Sequence, residues 1–186
     1  AGLALLSELD LRGVVVSADA LHTQPKWCKK VLAQGGDYIA IAKGNQSELY
    51  SDIALLFSQP PQGWLPEVQA RTTEKAHGRL ELRHLRASSQ LNDHLADKWT
   101  GVQQVFSVER RITQRGVSTC EVALGITSLP HSLLPAPNLL ALVRTHWHIE
   151  NRSHWRRDVT LGEDDCKVAT GQVPRALASL NNAVLA

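Results

Sequence analysis

The chain has 186 residues, 43% of them hydrophobic, so it is long and apolar enough for one sizeable core and does not resemble a disordered or fibrous protein. Twenty basic and eighteen acidic residues give a net charge of +2, which by itself does not indicate a nucleic-acid partner. Residues 1–9 lack the basic start of a secretory signal, and the most apolar window, Leu133–Val143, is far shorter than the roughly 20 residues of a membrane span. We therefore expect a cytoplasmic protein that does not contact the membrane.

The cysteines give no sign of a disulfide or a metal knuckle, whereas the basic residues are clustered. Cys28, Cys120 and Cys166 stand far apart, with no Cys-x-x-Cys pair among them. Each basic cluster could contact phosphate groups or could be an ordinary solvated face. The clusters run from Arg71 to Arg86, from Arg110 to Arg115 and from Arg144 to Arg157.

The first third of the chain alternates between helical and strand patterns. Leucines recur at helical spacing over residues 3–9, and Val14–Val16 is a β-branched run typical of a buried parallel strand. Thr23 can cap a helix that begins at Pro25, and Tyr38–Ala42 is a second buried strand. This order of elements predicts an α/β core with a right-handed crossover.

The middle of the chain changes to the alternating pattern of antiparallel strands. After a loop over Ser58–Pro66, rich in Pro and Gln, alternation over Val68–Thr73 and Leu80–Leu85 predicts one hairpin. Alternation over Val102–Ile112 and Val117–Ile126 predicts a second hairpin. We expect these four strands to form a small antiparallel sheet inserted into the α/β core.

The helical period returns after two prolines, Pro135 and Pro137. The pattern predicts a long helix that continues to Asp158, and a last helical segment from about Pro174. The predicted division of the chain is therefore an α/β segment, a β-rich insertion and C-terminal helices, with the boundaries 1–57, 58–134 and 135–186.

Asp19 is the first candidate for chemistry. It comes just after the Val14–Val16 run, and in α/β folds the ends of parallel strands are where ligands and metals bind. An equally good interpretation is that Asp19 only caps the following helix.

The second candidate site is a polar cluster in the predicted long helix. His146, Glu150 and His154 stand four residues apart, which places them on one face, with Trp147 and Asn151 beside them. Alternatively, the tryptophans are core anchors and the histidines are ordinary surface groups. The spacing differs from the His-Glu-x-x-His motif of zinc peptidases, so zinc is not favoured.

The two carboxylates, Asp19 and Glu150, suit a magnesium site. Mg²⁺ prefers oxygen ligands, and a pair of ions ~3.5 to 4 Å apart can activate a water or a 3′-hydroxyl and stabilise the leaving oxygen. Nearby basic side chains would hold phosphates, and an exposed Trp or His could stack on an unpaired base.

Four ordered strings resemble the H-repeat-associated group of bacterial insertion-sequence transposases. They are Val15–Gln24, Gln34–Gln46, His77-Gly78-Arg79-x-Glu81-x-Arg83, and His146-Trp147-x-Ile149-Glu150-Asn151-x-x-His154-Trp155-x-x-Asp158-Val159. That group is similar to other DDE transposases, which have an RNase H-like fold with a β-rich insertion before the last catalytic helix. The resemblance implies this fold here.

The resemblance also implies roles for the two carboxylates. Asp19 matches the family's second catalytic and metal-binding carboxylate, and Glu150 matches the third. The first aspartate of the family lies on an earlier strand that has no counterpart in this chain, so the RNase H-like core is expected to be partial. The implied cofactor is Mg²⁺ or Mn²⁺, and the implied partner is double-stranded DNA at transposon ends and targets. A homo-oligomer is expected for the full-length protein. The alternative is an inactive remnant or a domesticated DNA-binding fragment.

Further residues are candidates for DNA contacts by the same resemblance. Those around the glutamate are Arg144, His146, Trp147, Asn151, His154 and Arg157. Lys43, Asn45 and Gln46 follow the second strand and could face the same cleft, or could form a polar turn that caps the next helix.

Two charged groups in the chain have competing interpretations. Arg79, with His77 and Arg83, could touch phosphate, or these residues could pair with Glu74 and Glu81 in an exposed charge ladder. The run Glu163 to Asp165 could assist metal binding or could be a solvated turn.

Overall fold

The structure is a computed structural model that describes residues 3, 6–61, 64, 66–76 and 78–149. The chain divides into two compact units, Ala1–Ala141 and Leu142–Ala186. The strands of the described residues lie in the first unit and belong to one mixed sheet of six strands. The predicted α/β class is confirmed to this extent.

The first two strands are parallel and flank a helix, as predicted. Strand β1 (Val15–Ala18) pairs with β2 (Asp37–Ala42), and helix α1 (Pro25–Ala33) connects them. Proline at the first position of α1 needs no amide partner there. The residue that caps α1 is Gln24, and its side chain makes no capping bond, so the prediction that Thr23 caps this helix is wrong.

The prediction that the valine run is buried is also wrong. Val14 and Val15 are 44% and 36% exposed, because β1 stands at the edge of the sheet and pairs only with β2 among the described strands. Strand β2 lies between two neighbours, so its residues Tyr38–Ala42 are buried on both faces. This explains its nearly continuous apolar sequence.

A short helical turn and a longer helix follow β2. The 3₁₀ turn spans Gly44–Gln46, and helix α2 spans Ser47–Ser58. The buried residues of α2 are Leu49, Ile53, Leu56 and Phe57, which recur at the spacing of one helical face.

The two predicted hairpins are confirmed. Strands β3 (Val68–Ala76) and β4 (Arg79–Ser88) form the first hairpin, and β5 (Gln104–Gln114) and β6 (Val117–Thr127) form the second, with the short helix α3 (Asn92–Leu95) between them. Arg115 and Gly116 both have positive φ, at 51° and 79°, as a two-residue type I′ turn requires.

The four hairpin strands do not form a separate sheet, so that prediction is wrong. The strand order is β1-β2-β6-β5-β4-β3. The end of β6, from Leu124 to Thr127, pairs antiparallel with Ile39–Ala42 of β2. Strand β6 has eleven residues, and this inner end is apolar and buried, so it continues the central sheet.

Both faces of the sheet bury apolar side chains. On one face, strand residues such as Tyr38, Val105 and Ile126 join a core cluster with residues of α1 and α2. The pairing register places a second buried set on the opposite face. Its members are Ile39, Ile41, Leu85, Ala87, Phe106 and Val108.

Helix α4 (Ala136–Ile149) begins in the first unit and continues into the second. It agrees with the predicted long helix as far as Ile149. The remainder of that predicted helix and the segment from Pro174 lie outside the described residues. Among the described helices, none is long and apolar enough to span a membrane.

Candidate active site

Asp19 lies at the carboxyl end of β1, where the sequence predicts it, and is half-buried. Its backbone carbonyl accepts hydrogen bonds from the amides of His22 and Thr23, at 3.1 and 3.0 Å. Its Oδ1 accepts a longer bond from the His22 amide, at 3.3 Å. The carboxylate therefore braces its own turn and does not cap α1, so the capping interpretation of Asp19 is wrong.

Thr23 links the turn over residues 19–23, called the Asp19 turn below, to strand β2 by hydrogen bonds. The side chain is fully buried, and its Oγ1 lies 2.7 Å from the carbonyl oxygen of Ile41 in β2. The same Oγ1 lies 2.9 Å from the carbonyl oxygen of Asp19. A hydroxyl has one proton to donate, so the two carbonyls share it. The threonine is therefore a clamp between the turn and β2.

Two side chains from the turn after β2 also hold the Asp19 turn. The Asn45 amide donates to the carbonyl of Ala20 at 2.7 Å. The Gln46 amide donates to the carbonyls of Ala20 and Thr23, at 2.6 and 2.9 Å, and its Oε1 accepts from the Lys43 amide at 3.2 Å. Each such bond contributes about 1 kcal/mol. The turns at the ends of β1 and β2 therefore form one hydrogen-bonded unit.

This unit changes how the polar residues after β2 are interpreted. Gln46 stands at the N-terminal cap position of helix α2, but its side chain makes no capping bond to that helix. Its Oε1 instead accepts from the Lys43 amide and so caps the 3₁₀ turn, which agrees in part with the predicted polar capping turn. Lys43 and Asn45 are exposed, although the amide nitrogen of Asn45 is used in holding the Asp19 turn. Their predicted contacts with DNA stay predictions.

Asp19 has the chemistry of one metal ligand. Its Oδ2 makes no hydrogen bond within the described part of the chain, and a carboxylate oxygen is the ligand type that Mg²⁺ prefers. The described residues contain no group of three or more His, Cys, Asp or Glu that could hold a metal. The second predicted ligand, Glu150, lies outside them, as do Asn151, His154, Arg157 and the Glu163 to Asp165 run.

Three of the predicted DNA contacts fall on the described part of α4. Arg144 and Trp147 are half-buried, whereas His146 is 9% exposed. His146 follows Leu139 and Val143 at spacings of seven and three residues, so it lies on the buried side of the helix. The contacts of these three residues with DNA stay predictions.

The hairpin arginines surround a buried glutamate. Glu81 is 2% exposed; its Oε2 lies 3.0 Å from Arg79 and its Oε1 lies 2.5 Å from Arg83. Arg110 of β5 also donates to Glu81, and Arg83 reaches Glu74 at 3.2 Å. The predicted pairing is confirmed: Arg79 and Glu74 are exposed as predicted, whereas Glu81 and Arg83 are buried. The predicted phosphate contact of Arg79 stays a prediction, and His77 lies outside the described residues.

The three arginines around Glu81 determine the direction in which its pKa is shifted. Burial alone would raise the pKa of Glu81, but the hydrogen bond from Arg110 and the charges of Arg83, Arg110 and Arg79 outweigh it and lower the pKa. Glu81 is therefore ionised at neutral pH. The sequence signal for this cluster was the alternation of Arg79, Glu81 and Arg83 on one strand face.

The profile of the family described as Transposase DDE domain matches residues 1–184. The chain is 31% identical over 185 residues to the "H repeat-associated putative transposase YhhI" of Escherichia coli (strain K12), covering 96% of this chain and 48% of that protein. YbfL of the same strain has the same identity and coverage.

A further relative comes from Xanthobacter autotrophicus, an uncharacterized protein in the dhlA 3′ region. It is 38% identical over 126 residues, which cover 67% of this chain and 42% of that protein. This chain therefore spans about half the length of the curated relatives it matches.

Proposed function

This chain belongs to the DDE-domain transposase family, and we propose from that premise that it is part of a DNA transposase. The proposed reaction is metal-dependent cleavage at the ends of a mobile element, followed by joining of the freed 3′-hydroxyl to target DNA. The proposed substrate is double-stranded DNA, and the proposed assembly is a homo-oligomer of the complete protein on paired ends.

The observation that carries this proposal is the position of Asp19. It stands at the carboxyl end of parallel strand β1, with one carboxylate oxygen available for a ligand. We assign Asp19 as one carboxylate ligand of Mg²⁺ or Mn²⁺ and Glu150 as another, on an RNase H-like core. When bound, the metal supplies Lewis acidity to activate the attacking hydroxyl and stabilise the leaving oxygen.

The residues around Asp19 hold its carboxylate in position. Thr23, Asn45 and Gln46 hold the Asp19 turn through the carbonyls of Ile41, Ala20 and Thr23. A ligand held in this way needs little reordering when the metal and DNA arrive, which favours catalysis. The residues proposed to bind DNA near the site are Lys43, Asn45, Arg144, Trp147, Asn151, His154 and Arg157.

The test is cleavage and joining by the complete gene product. Wild-type protein with Mg²⁺ is incubated with DNA that carries the ends of the element, and a pre-cut end is used to measure joining alone. Asp19→Asn should lower both rates by a factor of about 10³ or more, because it removes a metal ligand and keeps the shape of the side chain.

Asp10→Asn is the matched control. Asp10 is an exposed aspartate of the same segment, but it pairs with Arg12 at 2.6 Å and lies before β1. The control variant should cleave at the wild-type rate. Cleavage by Asp19→Asn at the wild-type rate would refute the assignment, and DNA binding without any cleavage by the wild type would favour the alternative of a DNA-binding remnant.

A further inference from the structure

The basic residues of the two hairpins are sorted between the two faces of the sheet. The pairing register places Arg79, Arg83 and Arg110 on one face. Glu74, Glu81 and Glu121 lie on that same face, so three bases meet three acids and the face is neutral. Alternation sorts the bases within each strand, but the pairing of the strands is what brings the sorted bases together on one face.

The other face of the same strands carries an excess of positive charge. It holds four bases and one acid, Glu109, which gives a net charge of +3 with histidine neutral. We call this surface the basic face. Its charged and titratable members, apart from Glu109, are Arg71, Lys75, His84, Arg86 and Arg111.

The basic face is open at its outer end. Helices α1 and α2 cover the inner part of this side of the sheet. Further out, Leu82 and Val122 are 39% and 53% exposed, and Arg71, Lys75 and Arg111 are exposed too. The strands here end in the hairpin turns at Gly78 and Gly116, so the face projects from the core.

Two of the cations on this face have no acidic partner among the described residues. Arg71 and Lys75 make no ion pair within the described residues, whereas Arg111 reaches Glu109 at 3.0 Å. Arg86, at the inner end, donates to the Phe57 carbonyl at 3.0 Å and lies over the Phe57 ring. Burial lowers the pKa of His84, and the charges of Arg71 and Arg86 lower it further, while the charge of Glu109 opposes them.

We propose that the basic face binds the phosphate backbone of duplex DNA. The inference rests on the proposed function only for the identity of the polyanion. Arg71 and Lys75 are four residues apart on β3, or about 13 Å, and Arg111 is two strands away, or roughly 10 Å. These spacings are close to the roughly 12 Å width of the major groove, so the three cations can reach phosphates on both of its sides.

The chemistry of the face favours duplex over single-stranded DNA. Among the described strand residues on this face there is no Phe, Tyr or Trp on which an unpaired base could stack. Its exposed cations are Arg71, Lys75 and Arg111, with Leu82 and Val122 exposed beside them, and contacts of such cations with phosphates do not depend on sequence. The bases of the opposite face are already engaged by Glu74, Glu81 and Glu121.

The experiment measures the salt dependence of DNA binding by the complete gene product. Fluorescence anisotropy with a labelled duplex of arbitrary sequence, without Mg²⁺, gives Kd from about 50 to about 200 mM salt. The test variant carries Arg71→Gln, Lys75→Gln and Arg111→Gln. The control carries Lys26→Gln, Lys29→Gln and Lys30→Gln, which remove the same charge from α1.

For the basic-face variant, the slope of log K against log salt should be about 2.7 less negative than for the wild type, because each lost phosphate contact accounts for ~0.9. The wild type would then lose about 40-fold more affinity than this variant over a fourfold rise in salt. The α1 variant should keep the wild-type slope. An unchanged slope for the basic-face variant, or equal losses in both variants, would overturn the proposal and leave the proposed function standing. A wild type that binds no DNA would instead refute the proposed function.

Discussion

The buried glutamate of the first hairpin offers the sharpest test of the packing. Replacing Glu81 by Gln keeps the size of the side chain and removes its charge. Arg83 is nearly buried and Arg110 is about three-quarters buried, so both would lose a charged hydrogen bond that water cannot fully replace. Arg79 is about half exposed, and its pairing with Glu81 is screened by solvent.

The magnitude follows from these exposures. A hydrogen bond to a charged group contributes about 1.5 to 3 kcal/mol, and two of the three bonds to Glu81 are shielded from water. The amide oxygen of Gln can still accept one of them. We therefore expect Glu81→Gln to lower the free energy of unfolding by roughly 3 kcal/mol, a large part of the 5 to 15 kcal/mol typical of a domain.

The assay is urea denaturation of the chain followed by circular dichroism, with Glu74→Gln as the matched control. The Glu74 carboxylate is 45% exposed and contacts only the edge of the cluster, so its loss should cost less than about 1 kcal/mol. A Glu81→Gln protein within 1 kcal/mol of the wild type would refute the view that the cluster holds the hairpins together.

The stability of the wild type and of Glu81→Gln can also be compared as a function of pH. The folded-state pKa of Glu81 is lower than the ordinary value of 4.5, so its pairing contributes stability above about pH 4.5. That contribution is lost as the pH falls through the lowered folded-state pKa. The difference in stability between wild type and Glu81→Gln should therefore shrink at acidic pH, and a difference that grows there would contradict this account.

Three further predictions concern other parts of the chain. In a Mg²⁺ titration, Gln46→Ala should raise the Mg²⁺ concentration needed for DNA cleavage by about 10- to 100-fold, because Gln46 supports the turn that carries the metal ligand. Gln24→Ala is the control and should leave that concentration unchanged, because the Gln24 side chain is exposed and makes only a long hydrogen bond of 3.4 Å. Gly125→Ala should destabilise the sheet by more than 2 kcal/mol in urea denaturation, because the added Cβ would lie 2.4 Å from the Phe106 ring and 2.6 Å from the Ala40 carbonyl; Gly44→Ala, which meets nothing within 4 Å, is its control. In a Cys166→Ser background, a thiol reagent should label Cys120 at once and Cys28 only after unfolding, because burial raises the pKa of Cys28 to about 12; equal labelling of both in the native protein would contradict their placement.

The local parts of the fold could be predicted from the sequence. Alternating residues and the Arg115-Gly116 turn mark the second hairpin, and the position of Asp19 after a β-branched run marks a strand end. These features depend on neighbouring residues and on the period of the chain, which are visible in one sequence.

The parts that were mispredicted depend on contacts between distant residues. The pairing of Ala40 with Ile126 merges the hairpins with the central sheet, and nothing near either residue indicates it. The exposure of Val15 follows from its edge position, which local pattern does not reveal. Local pattern also does not reveal the hydrogen bonds from Gln46 to the Asp19 turn, because they join residues more than twenty positions apart.

Asp19 is proposed as a metal ligand at the centre of DNA cleavage. The most direct measurement is a crystal structure of the complete gene product with element-end DNA and Mn²⁺, in which anomalous scattering locates the ion. We expect Mn²⁺ coordinated by the Asp19 carboxylate beside the scissile phosphate, and loss of the anomalous signal in Asp19→Asn. Mn²⁺ bound beside the scissile phosphate by other residues, with Asp19 remote from it, would contradict the account.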